Sequence, residues 1–85
     1  MRIPIEHTID LHAFHPRDVA SVVDEYITAA SAAGLSEVRI VHGRGRGVQR
    51  RTVHERLARH PLVAEFTDAQ DAHLGATVAT LRKVR

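Results

Sequence analysis

Val38-Arg39-Ile40-Val41-His42-Gly43-Arg44-Gly45-Arg46-Gly47-Val48 is the stretch on which the reading of the fold turns. A short apolar run, residues 38–41, ends in three alternating glycines, and an amphipathic stretch follows over residues 48–60. Apolar run, glycine turn and amphipathic stretch together predict a strand handing over to a helix. Glycine tolerates positive φ and has no Cβ, so this backbone can approach another group closely. The helix behind it offers unpaired N–H groups and the positive end of its dipole. Arg44, Arg46 and His42 add charge of the same sign, which favours a phosphate-handling loop over a plain turn. The spacing matches neither the nucleotide P-loop nor the dinucleotide fingerprint, so ATP and NAD are not its expected ligands.

Working outward, the elements on either side define a small two-layer α/β domain. Upstream, Thr8-Ile9-Asp10-Leu11-His12 alternates, with Ile9 and Leu11 on one side as in a half-buried strand. Pro16 suits a first helical position. Val19, Val22, Val23, Tyr26, Ile27 and Ala30 then form one apolar stripe, predicting a helix over residues 16–33 that Gly34 ends. A second strand is expected over residues 36–41. In the second helix Val53 and Leu57 form the inward side, with Val48 near its start, and Pro61 follows its end. Arg51, Glu55 and Arg59 stand four apart on its outward side. Strands over residues 62–67 and 75–81 complete the order β-α-β-α-β-β, with residues 68–74 a polar connection. Residues 1–7 read as an extended lead-in without the apolar segment of a signal peptide, and residues 8–85 as a single domain.

The 85 residues suffice for one core. No run is long enough to span a membrane, and the absence of cysteine removes disulfides and thiolate metal sites, which fits a cytoplasmic setting. The net charge is only +2, but six arginines and a single acid lie between His42 and His60, and Arg82, Lys83 and Arg85 follow at the end. Such a basic half suits a polyanion. Aromatics are scarce, so stacking on single-stranded bases is poorly supplied.

A strand-helix-strand unit implies parallel strands joined by a right-handed crossover, which puts His12 and His42 at the same end of the sheet. Asp10 and His12, two apart on a strand, share a face, and a carboxylate beside an imidazole orients it for proton transfer. The bland alternative is that Asp10 caps the following turn and His12 is structural. Asp10, His12, His15 and His42 also supply oxygen and nitrogen ligands for a possible divalent cation. His7, His54, His60 and His73 are expected at the surface.

With Ile9-Asp10-Leu11-His12 and His42-Gly43-Arg44-Gly45-Arg46-Gly47 in these places, the chain resembles the Smr (small MutS-related) domain family, over residues 8–82. Val63-Ala64-Glu65-Phe66 and Leu74-Gly75-Ala76-Thr77 are further matching runs. Two departures stand out: Ala13-Phe14-His15 replaces a glycine after His12, and Arg44 stands where lysine is common. The resemblance implies a fold similar to the C-terminal domain of translation initiation factor three: a mixed four-stranded sheet with two helices on one face. It also implies a domain that binds and nicks DNA or RNA. Asp10, His12, His42 and Arg44 would then be catalytic, and Gly43, Gly45, Arg46, Gly47 and Arg50 would hold phosphates. The alternative is a non-catalytic nucleic-acid-binding adaptor with the same loop and charge.

Overall fold

The computed structural model describes residues 5–43, 47–69 and 75–83. Arg44, Gly45 and Arg46 of the glycine loop lie outside the described residues, as does most of the connection before the last strand. The elements are β1 (Thr8–Asp10), α1 (Val19–Ala32), β2 (Glu37–Val41), α2 (Val48–Arg59), β3 (Val63–Asp68) and β4 (Ala76–Leu81). They form one mixed sheet in the order β1-β2-β4-β3. β1 and β2 are parallel neighbours, pairing Ile9 with Ile40 and Asp10 with Val41. β4 is antiparallel to both β2 and β3. The chain thus crosses to the far edge as β3 and turns back to fill the centre with β4, whose residues are all buried or half-buried.

Val19, Val23, Ile27 and Ala30 of α1 and Val53 and Leu57 of α2 are buried against Ile9, Val38, Ile40, Ala79 and Leu81. One core therefore lies between the sheet and the two helices, which pack on the same face. Burying each large aliphatic side chain there contributes roughly 1.5–3 kcal/mol before conformational entropy is counted. The helices are also tied by charge: Arg56 makes a forked pair with Asp24 of α1. Gly34, at φ +86°, stops α1 as expected, with Gly34 N–H donating to Ser31 O and Leu35 N–H to Ala30 O, both at 3.0 Å. This left-handed cap satisfies carbonyls that the helix cannot pair itself.

Three local expectations are corrected. β1 ends at Asp10, not at His12. The Asp10 carboxylate accepts from His12 N–H at 2.9 Å and turns the chain into a 3₁₀ turn, Leu11–Ala13, that drops Leu11 into the core. Helix α1 begins at Val19, after a separate 3₁₀ turn over Pro16–Asp18 capped by the His15 imidazole. Val48 points outward, 68% exposed. It lies five residues before Val53, roughly 140° around the helix, and so falls off the inward stripe.

Candidate active site

The loop entering α1 and the loop entering α2 start from neighbouring parallel strands, so the two motifs meet at one end of the sheet. Asp10 closes β1, and its Oδ1 accepts both the His12 backbone N–H and the His12 Nδ1–H, the latter at 2.8 Å. The two side chains come together through this capped turn and not through strand alternation. These two hydrogen bonds from His12, the backbone one first, hold the Asp10 carboxyl below its usual range. An ionised carboxylate can only accept, so Nδ1 carries a proton, and in the neutral ring Nε2 is the nitrogen with the lone pair. Both side chains are 62% exposed.

The imidazole lies directly over Gly43. A Cβ built on Gly43 would stand 2.9 Å from His12 Nε2 and 3.1 Å from Cε1. Gly43 also has φ +85°, and its N–H shares the Gly75 carbonyl with His42 N–H, each at 2.9 Å. This glycine is therefore needed twice: for its backbone conformation, and for the room it leaves the ring. Beyond it, a pocket of about 240 Å³ is lined by His42, Gly43, Gly47, Arg50, Asp68 and Gly75. α2 begins there after Gly47, with no side-chain cap and no acid of its own in its first turn.

His42 and Arg50 stand otherwise than expected for direct contact with a ligand. His42 is 6% exposed and faces inward. Its Nδ1–H donates to Gly43 O at 2.9 Å, and its Nε2 is 3.0 Å from Thr77 Oγ1. Arg50 forks onto Asp68, with Nε 3.2 Å from Oδ1 and Nη2 2.6 Å from Oδ2. Its guanidinium holds the Asp68 carboxyl below its usual range. His15 is occupied as the cap of the turn that precedes α1. Gly47, at φ +79°, has open space where a Cβ would go.

Three residues that the sequence reading did not assign to the site complete this end of the molecule. His54 is half-buried, its ring set edge-on against Phe66 at 5.0 Å. Its Nε2 lies 3.0 Å from Thr77 Oγ1 and 3.2 Å from Asp68 Oδ1. Burial, then the charge of Arg50, lowers its pKa, with Asp68 opposing. Thr77 is fully buried and Asp68 lies on β3, not in the polar connection. The directions of these bonds follow from the acceptors. Gly43 O must accept from His42 Nδ1–H, so Thr77 O–H donates to His42 Nε2, and Thr77 Oγ1 in turn accepts from His54 Nε2–H. Two signals in the sequence pointed here. Thr77 shares the inward face of β4 with Ala79 and Leu81, and His54 lies beside Val53 and four residues after Arg50, at the border of the buried stripe. His60, also expected at the surface, is half-buried, and its Nδ1 accepts from Leu62 N–H.

His42, His54 and Asp68 are the group of three metal-ligating side chains found among the described residues. No helix among those residues is long and apolar enough to cross a membrane.

Residues 9–82 match the model of the family described as the Smr domain. The endonuclease MutS2 of Caldicellulosiruptor saccharolyticus is 36% identical over 80 residues, which are 92% of this chain and 10% of that protein. The protein of the same name from Thermomicrobium roseum is 38% identical over 79 residues, 91% of this chain and 10% of that protein. The chain thus spans about a tenth of the length of these curated relatives. Among solved structures, the Smr domain of Thermus thermophilus MutS2 superposes with a TM-score of 0.81 at 34% identity, covering 91% of this chain and 99% of that one. YdaL, a stand-alone small MutS-related protein from Escherichia coli, gives 0.74 at 27% identity, covering 94% of this chain and 67% of that one.

Proposed function

The chain belongs to the Smr domain family, and from that premise we propose that it is a nucleic-acid-binding endonuclease domain that hydrolyses a phosphodiester bond in structured or duplex DNA or RNA. The observation that carries this reading is the His12 ring, oriented by Asp10, with its free Nε2 turned to Gly43 at the rim of the α2 N-terminus. In this reading the scissile phosphate sits against the glycine loop, where backbone amides and the helix end favour an anion. His12 Nε2 takes a proton from a water as that oxygen attacks phosphorus, or, in RNA, from a ribose 2′-OH whose attack leaves a cyclic phosphate in place of the hydrolysed ester. The bond to the leaving oxygen breaks, and that oxygen takes a proton from solvent. Asp10 keeps the ring in the productive tautomer and stabilises the imidazolium that forms.

Arg44 is the proposed stabiliser of charge on the phosphoryl oxygens, and Arg46 and Gly45 contribute to holding the phosphate. His42 acts differently in this reading. With both ring nitrogens hydrogen-bonded inside the protein, it is a positioning residue that fixes the Gly43 peptide. Arg50 reaches flanking phosphates only by leaving Asp68. Contacts of this kind set affinity and salt dependence but read no sequence.

The test is incubation of the pure chain with supercoiled DNA, duplex DNA and structured RNA, with and without chelator, alongside His12→Ala and Asp10→Asn. His12→Ala is expected to lower nicking by roughly 10²–10⁴-fold, the usual worth of a general base, while binding persists. Unchanged nicking in His12→Ala would show that the base is misassigned. Binding by the parent chain with no cleavage of any substrate would favour the adaptor.

A further inference from the structure

We propose that His42, His54 and Asp68 form a binding site for one divalent transition-metal ion of the zinc class. The three side chains come from three separate elements, the loop after β2, helix α2 and the end of β3, yet one ligand atom from each lies within 4.8 Å of the other two. When each is ~2.1 Å from a tetrahedral zinc, ligand atoms lie about 3.4 Å apart, so the longest separation has to close by up to about 1.4 Å. The His54 Nε2 to Asp68 Oδ1 separation is already 3.2 Å, and an ion there takes the place of the Nε2 proton, with the ring proton moving to Nδ1.

A second observation concerns His42. A metal-binding histidine usually donates its other ring N–H to a carbonyl or carboxylate, which fixes the tautomer and aims the lone pair. His42 does this: Nδ1–H is held by Gly43 O at 2.9 Å, leaving the Nε2 lone pair to the Thr77 hydroxyl, which an ion at this nitrogen displaces. The packing of Phe66 on His54 and the burial of His42 hold both rings in place before any ion arrives. Two imidazoles and one carboxylate suit a borderline ion and not Mg²⁺ or Ca²⁺, which prefer oxygen. Arg50 is the competitor, since its guanidinium occupies Asp68 and its charge opposes a cation. An ion bound at Asp68 therefore displaces Arg50, whose half-exposed side chain is then free to turn toward solvent.

The experiment is titration of the 85-residue chain with Co²⁺, read by the visible absorption of the bound ion, followed by competition with Zn²⁺ and thermal melts in both ions. Expected are one ion per chain, a raised melting temperature, and affinity weakened at least about tenfold in His54→Gln and in Asp68→Asn. Arg50→Met is expected to tighten binding, and His12→Gln and His15→Gln to leave it unchanged. Parallel melts without metal show that each variant is folded. No saturable binding, binding retained in the His54→Gln/Asp68→Asn double variant, or loss in His12→Gln would each overturn the site. None of these readouts depends on nuclease activity, so this proposal and the endonuclease reading fail separately.

Discussion

Gly43 and Gly47 both have positive φ, yet they answer differently to the same substitution. At Gly47 an added methyl meets open space, so Gly47→Ala should cost only the backbone conformation, about 1–2 kcal/mol. At Gly43 the same conformational penalty is joined by contact with His12 Nε2. Gly43→Ala is therefore expected to lose more stability than Gly47→Ala in urea denaturation. It should also displace the His12 ring, visible as a shift of its NMR resonances that Gly47→Ala lacks. Thr77 offers a second comparison. Thr77→Val keeps the shape but removes the hydroxyl that joins His42 to His54, leaving the buried His42 Nε2 without a partner while His54 Nε2 keeps Asp68. It is expected to destabilise by about 1–3 kcal/mol, measured in the same way.

At the scale of elements, the two helices are held to each other and to the sheet by different means. Leu57 is fully buried on the inward stripe of α2, so Leu57→Ala should cost ~2–5 kcal/mol. The Arg56–Asp24 pair bridges the same helices, but each side chain keeps about a third of its surface in water. Solvent screens such a pair. Arg56→Ala is thus expected to lose far less than Leu57→Ala, and a double-variant cycle with Asp24→Ala should find a weak, salt-sensitive coupling. The first turn of α2 behaves in another way again. Its exposed Val48 contributes little to the core, and the turn itself contains no acid. This is the helix end that the proposed function puts beside phosphate.

For the molecule as a whole, pH should report on the polar cluster that joins helix and sheet. His54 is pushed below its ordinary value of 6.5, first by burial and then by the charge of Arg50, while Asp68 opposes the shift. Between the two values the unfolded chain binds the proton and the folded chain does not. The contribution of His54 is therefore fully present above about pH 6.5 and is lost as pH falls through the folded value. Asp68, held low chiefly by Arg50, adds a second loss further into acid, below its ordinary 3.8. Urea midpoints followed from neutral to acid pH should decline in these two windows. His54→Gln should flatten the first while leaving the second.

Local pattern alone sufficed for much of this architecture. The α1 stripe, the Gly34 stop, the four strands and the parallel β1–β2 unit follow from apolar periodicity and from where glycine and proline fall. These features depend on neighbours a few residues apart, which a linear reading sees. The same is true of the two motifs, and parallel pairing of β1 with β2 brings them together. What periodicity did not reach was the direction in which individual polar side chains turn. Asp10 both caps a turn and orients His12, an outcome decided by a hydrogen bond that ends the strand. The inward turn of His42 and the roles of His54, Thr77 and Asp68 depend on β4 being inserted between β2 and β3. That strand order brings residues 42, 54, 68 and 77 together across the core. Only the folded chain creates the shared low-dielectric site in which each polar group must find a partner, and so only the tertiary structure decided which histidine faces solvent.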